Sequence, residues 1–216
     1  MAEHTAARPR GRPPRADREQ VVHTALRLLG EVGLDALTMR RLADALGVQA
    51  GTLYGYFPTK RALLTAMAEA MMSGCQDAGE NAATPREQVL ALARGLRTAL
   101  LAHRDGARVY AGTHAVGPNT LGFSDTLIGA LRQAGVDAAA AVQTALLIVH
   151  FTTGHVLEEQ AATGADPELL TEIDDLHQAI AQGEYPQLAE THKELTGTDF
   201  TQLYERGLQL LTSDVP

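Results

Sequence analysis

The sequence predicts an all-α protein: an N-terminal three-helix helix-turn-helix domain followed by a larger C-terminal helical domain. Three observations lead there. Apolar residues recur at helical spacing in nearly every segment, and no stretch alternates apolar and polar residues as a half-buried strand does. There is no internal repeat and no sustained heptad. Gly, Pro, Thr and Asp fall where helices of roughly 8–20 residues should start and stop. The chain has 216 residues, 45% of them hydrophobic, so it can bury a sizeable core.

Residues 1–16 read as a flexible basic arm, because Arg, Pro and Gly dominate without apolar periodicity. Residues 17–62 form the helix-turn-helix domain. From Asp17, the residues Val21, Val22, Ala25, Leu26, Leu28, Leu29 and Val32 make a helix that Gly33 can end. Thr38 caps a short helix through Leu46, Gly47 supplies a turn, a third helix runs to about Phe57, and Pro58 stops it. Residues 63–216 form the second domain. A fourth helix, capped by Thr59, is expected from Lys60 to about Cys75, and a linker from Gly74 to Pro85. Thr84-Pro85-Arg86-Glu87 supplies an N-cap, a proline at N1 and a Glu at N3, and starts a helix to about Ala102. A short element follows Asp105. Further helices are expected over Asn119–Ala134, with Gly135 just past the end, from Asp137 to about Ala161, and over Asp199–Leu211. Residues 162–198 are expected to be irregular or to hold short helices, punctuated by Asp166-Pro167 and Tyr185-Pro186.

The net charge of −8 conceals an asymmetry. Residues 1–62 carry ten Lys and Arg against six acids, leaving the rest of the chain at −12. A basic head on an acidic body points to a polyanion that meets only the head. The basic start is followed by no apolar h-region, so it is not a secretory signal. The single cysteine, Cys75, can form neither an intrachain disulfide nor a zinc cluster, which fits a reducing cytoplasm. The sequence is read as having no charge-free apolar run near the roughly 18 residues of a membrane span, and no membrane partner is expected. Nine aromatic residues and no Trp argue against an aromatic-rich sugar or peptide groove.

The most specific signal lies between Met39 and Phe57. Two short helices joined by a tight turn pack at a steep angle. Their closest approach needs a small residue, Ala43, and the turn needs one tolerant of positive φ, Gly47. Leu42, Leu46, Val48 and Leu53 fill the small core between them. The second helix then presents Gln49, Thr52, Tyr54, Tyr56 and, just beyond, Lys60, groups suited to phosphates. In the arm, Pro9-Arg10-Gly11-Arg12-Pro13 matches an AT-hook core, whose extended Arg-Gly-Arg lies in a narrow minor groove.

The segment GVQAGTLYGYFPTKRALL is similar to the DNA-binding signature of the tetracycline-repressor (TetR) family of bacterial transcription regulators. Further on, ALLAHRDGARVYAGT and HFTTGHVLEEQ resemble the ligand-binding domain of the tetracycline repressors within it. The resemblance implies an all-α homodimer on a palindromic double-stranded operator. The helix from Asp137 and the final helix are the candidates for its four-helix interface. It places Arg40, Thr52, Tyr54 and Lys60 at DNA-contacting positions. Where the tetracycline repressors open the reading helix with Gln-Pro, this chain has Ala50-Gly51, and their Trp-His is Gly55-Tyr56 here. An Ala offers only its methyl to a base, so the tetracycline operator should be read poorly.

The same resemblance implies a small-molecule effector in the second domain. The family's magnesium-binding histidine aligns with Tyr110, and a neutral phenol is a poor magnesium ligand. Thr113, Glu158 and His150 are retained. Other drug contacts are replaced by Gln76, Leu92, His114 and Leu127. Leu92, Leu96, Tyr110, Leu127, Leu147 and Phe151 point to a largely apolar or aromatic effector, with His150 and Glu158 as polar handles. No resident metal or cofactor is expected. His155 with Glu158 or Glu159 has ligand-like spacing, but no matching pair stands elsewhere in the domain. Neither a nucleophile elbow nor a phosphate loop is present, so no enzyme is expected. Two alternatives stay open: a repressor responding to tetracycline and magnesium, and a constitutive DNA-binding protein without effector.

Overall fold

A computed structural model of the protein describes residues 17–163, 167–197 and 199–216. The arm, with Arg10 and Arg12, lies outside the described residues. Among the described residues the secondary structure is helical, without strands.

The head is built from α1 (Arg18–Ala36), α2 (Met39–Leu46), α3 (Ala50–Tyr56) and α4 (Lys60–Met71). Asp17 caps α1 by accepting from the Gln20 amide at 2.7 Å. Gly33, expected to end the helix, instead kinks it at φ 75°, and α1 continues to Ala36. Thr38 caps α2, and Gly47 turns the chain at φ 66°, a left-handed conformation in which glycine has no Cβ to clash. Leu42, Leu53 and Phe57 are fully buried against Val21, Ala25 and Leu29. From α4, Leu63, Met67, Ala68 and Met71 join the same core. The fourth helix is shorter than expected. It stops at Met71 because Gly74 turns left-handed at φ 77°, and a 3-10 turn over Cys75–Asp77 carries the Cys75 thiol into the core of the body. The segment read as a linker is therefore partly a packing element.

The body contains α5 (Pro85–Leu101), α6 (Gly106–Ala111), α7 (Pro118–Gln133), α8 (Ala138–Thr163), α9 (Pro167–Gln182), α10 (Pro186–Glu190), α11 (His192–Thr196) and α12 (Phe200–Leu211). The predicted capping box at α5 forms: Thr84 Oγ1 accepts from the Glu87 amide, and Glu87 Oε2 accepts from the Thr84 amide, both at 3.1 Å. Within residues 162–198, α10 and α11 are the short helices expected, but a 16-residue helix, α9, stands where none of that length was expected. Pro167 and Pro186, expected as punctuation, each stand at the first position of a helix, where a missing N–H costs nothing.

The expectation about charge-free apolar runs is also corrected. Residues 138–157 contain no Asp, Glu, Lys or Arg, and α8 is long and apolar enough, by length and composition, to cross a membrane. Its place in the fold is that of a central core helix. Ala141, Ala145, Ile148, Thr152, His155 and Val156 are buried, with α5, α7 and α12 packed around it. Val142, Leu146 and Leu147 of α8, with Leu203 and Leu210 of α12, remain exposed.

Polar contacts pin α12 to this core. The Tyr204 hydroxyl donates to the Ala93 carbonyl at 2.7 Å and lies 2.9 Å from the Thr152 hydroxyl. His155 Nε2 lies 2.8 Å from the Phe200 carbonyl, so that nitrogen carries the proton. Arg97 donates two bonds to Glu159, at 3.0 and 2.7 Å, with both side chains largely buried. Removing one partner of such a pair strands the other, so it resists single substitution.

Candidate functional site

Two sites share one joint. The first is the exposed face of α2 and α3. Arg40, Gln49, Gly51, Thr52 and Gly55 are exposed, and Tyr54 is half-exposed on the same face. Ala50 and Tyr56 are half-buried, and the Tyr56 carbonyl accepts from Arg18 Nη1 at 3.3 Å. Arg18 also lies 4.5 Å from the centre of the Phe57 ring, tying the start of α1 to the end of α3. Of the four residues expected between the helices, Leu42 and Leu53 are fully buried, while Leu46 and Val48 are half-buried at the rim. No heavy atom would stand within 4 Å of a Cβ at Gly51 or Gly55. This face of α3 is therefore bare, and its backbone is open to close approach.

Lys60 departs from the picture of a free phosphate contact. It is half-buried, and its ammonium donates to the Leu34 carbonyl at 3.4 Å. Its charge stands in the joint between head and body, where the Arg108 hydrogen bonds and charge hold the Asp35 carboxyl below its usual value and Lys60 adds a smaller effect.

The second site is a cavity of about 460 Å³ in the body. Tyr110, Ala111, Thr113, His114, Ala115, Thr120, Val149, His150, Thr153, Gly154 and Leu157 line it. Tyr110, Thr113, His114 and His150 thus meet as the sequence predicts. Six other expected contacts do not line this cavity. Leu92, Leu96 and Leu127 are fully buried within the body core, where helix packing needs them. Phe151 stacks on Tyr204, ring centres 5.4 Å apart, and faces Gly207 of α12. Leu147 and Glu158 are exposed elsewhere on α8. Conversely, Thr120, Val149, Thr153 and Leu157 were missed, because apolar periodicity marks a buried face without separating core from cavity wall. Gln76 is likewise away from the cavity, packed against Gly122 of α7.

The cavity offers hydroxyls, imidazoles and one phenol, and within this chain no carboxylate lines it. Burial pushes the Tyr110 phenol up, with the nearby Cys75 and Glu69 groups adding to the shift, so it is neutral at pH 7. Thr113 Oγ1 donates to the Tyr110 carbonyl at 3.0 Å. Magnesium favours carboxylate oxygen and water ligands. A neutral phenol with no carboxylate beside it is a poor match for that ligand set.

Helix α6 belongs to both units. Val109 is buried in the head core, Ala107 in the body core, and Tyr110 packs against both while lining the cavity. Asp105, just before α6, adopts a left-handed φ of 56°, and its Oδ2 accepts from the Leu34 amide at 2.8 Å. A second connection runs through Glu69 of α4. Its Oε1 accepts from the Asn119 amide at 2.6 Å, and its Oε2 from the Thr120 amide at 3.2 Å and the Thr120 hydroxyl at 2.6 Å. Nothing in the sequence singled out Glu69, since an acid on a half-buried helix face has no local signature.

Family models match both parts: "Bacterial regulatory proteins, tetR family" over residues 21–67, and "Tetracyclin repressor-like, C-terminal domain" over residues 78–214. The tetracycline repressor protein class C of Escherichia coli is 44% identical over 157 residues, 70% of this chain and 69% of that protein. The crystal structure of a possible TetR family transcriptional regulator from Streptomyces coelicolor A3(2) superposes with a TM-score of 0.83 at 53% identity, covering 92% of this chain and 98% of that one. The Streptomyces coelicolor TetR family protein ActR, in complex with actinorhodin, gives 0.79 at 27% identity, covering 92% and 96%.

Proposed function

This chain belongs to the TetR family of bacterial regulatory proteins, ligand-responsive DNA-binding transcriptional regulators, and from there we propose the particulars of its action. It works in the cytoplasm as a homodimer, a repressor released from a palindromic operator by a small, largely apolar or aromatic effector. The observation that carries this reading is the sharing of α6: one short helix supplies Val109 to the head core and Tyr110 to the cavity wall. A molecule seated against Tyr110 bears directly on a helix that the head is packed upon.

The reader contacts DNA through Arg40, Gln49, Thr52, Tyr54 and Tyr56, with Ala50 and Gly51 at the base edges and Arg10 and Arg12 in the flanking minor groove. Dimers of this type place their reading helices about 34–36 Å apart, or a multiple of that, so the operator is a palindrome. The exposed apolar residues of α8 and α12 supply the dimer interface. The effector sits among Tyr110, Thr113, His114, Thr120, His150 and Thr153. The metal-independent reading rests on Tyr110.

A duplex selected by the protein from a randomised pool and then footprinted tests this directly. The expected result is a palindromic footprint under a sedimenting dimer. A monomer at micromolar concentration, or an asymmetric footprint, would overturn it.

A further inference from the structure

We propose that Glu69 is the positioning residue that ties the cavity wall to the DNA-binding head. Glu69 lies on α4, directly after Met67 and Ala68, which are fully buried in the head core. Its carboxylate spans the first turn of α7, taking the Asn119 and Thr120 amides and the Thr120 hydroxyl, while Asn119 Nδ2 donates back to the Glu69 carbonyl at 3.0 Å. The carboxylate opposes the positive end of the α7 dipole, and its bonds are charge-assisted. The sequence makes room for it: a Cβ at Gly117 would overlap the carboxylate, although the backbone there, at φ −84°, does not itself require glycine.

The far side of this clamp is the cavity. Thr120 lines it, and the Thr120 hydroxyl is already committed to Glu69. A ligand that accepts from that hydroxyl must draw its proton from Glu69, because the hydroxyl has one proton to donate. That exchange changes how α4 is held. Because coupling is reciprocal, DNA that fixes the head must also tighten the clamp, with no ligand present. The effector reading of the cavity is needed only for what displaces Thr120, and the mechanical link stands apart from it.

Hydrogen exchange on the full-length protein, with and without a duplex selected from a randomised pool, tests the link. In the wild type, DNA should slow the Asn119 and Thr120 amides about fivefold or more, the lower end of ordinary coupling. Glu69→Ala should abolish that slowing while residues 38–57 remain protected by DNA. Glu69→Gln guards against misfolding of the alanine variant. It keeps one acceptor and turns an N–H toward a donor, so it should lose the response at Thr120. A purely structural role would lower the basal protection of these amides and leave their response to DNA intact. That outcome, or a wild type whose head is protected while residues 119–120 do not respond, overturns the proposal. If residues 119–120 respond to DNA but tetracycline and actinorhodin neither bind nor release it, the link stands and the effector reading has lost its support.

Discussion

Asp35 and Arg108 form a two-bond ion pair across the joint between head and body: Arg108 Nη1 donates to Oδ2 at 3.0 Å and Nη2 to Oδ1 at 2.9 Å. The Arg108 hydrogen bonds, and then its charge, hold the Asp35 carboxyl below its ordinary value. Both side chains are open to solvent, so the pair adds little stability. Its consequence is geometric, since it orients the turn after α1 on α6. Arg108→Ala should leave the melting temperature nearly unchanged. It should reduce, severalfold within a ~5–150-fold range, the ratio of operator affinities measured without and with effector. A large loss of stability with that ratio unaltered would show the pair to be a packing feature only.

The corrected cavity separates two groups of residues that the sequence placed together. Leu96→Ala should cost about 2–5 kcal/mol in a chemical denaturation, because it empties part of the body core. His150→Ala, at an exposed wall position, should leave stability unchanged and weaken the effector about tenfold, the loss of one good polar contact. Equal effects of both substitutions on stability would contradict this division.

The α2–α3 turn was legible because it needs particular residues, a small Ala43 and a left-handed Gly47. The Thr84 capping box was legible for the same reason: side chain and backbone close a local circuit. What could not be read depends on neighbours distant in sequence. Leu92 and Val149 look alike in a pattern, yet one is core and the other lines a cavity. Lys60 looked like a free cation, but its ammonium turns toward a carbonyl 26 positions earlier.

Salt dependence distinguishes Lys60 from Arg40. Arg40→Ala should flatten the slope of log affinity against log salt by about 0.9, the loss of one phosphate contact. Lys60→Ala should change that slope less and should lower stability through the joint. Tyr54→Ala should weaken binding with no change in slope, since it removes no charge. A full slope change on Lys60→Ala would show that the ammonium leaves Leu34 when DNA binds.

Acid should destabilise the body in a definite window. Burial lowers the pKa of His155, outweighing the smaller opposing effects of the Phe200 carbonyl and Glu159. A histidine whose folded pKa is depressed contributes full stability above its unfolded value of 6.5, and that contribution falls as the pH drops below it. His103, also lowered by burial, acts in the same direction. Melting temperatures taken from pH 7.5 to 5 should fall for the wild type and fall less for His155→Gln. An equal acid response in the two proteins would remove His155 as a cause.

Occupancy of the Tyr110–His150 cavity should release DNA without a metal. The direct measurement is fluorescence anisotropy of the selected duplex, titrated with actinorhodin and with tetracycline, each with excess magnesium and with a chelator. The expected result is release at the same ligand concentration in both conditions, with about tenfold more ligand needed in His150→Ala. Release by tetracycline alone, strictly dependent on magnesium, would contradict it. That outcome would mean that Thr113 and His150 still support a metal chelate despite Tyr110.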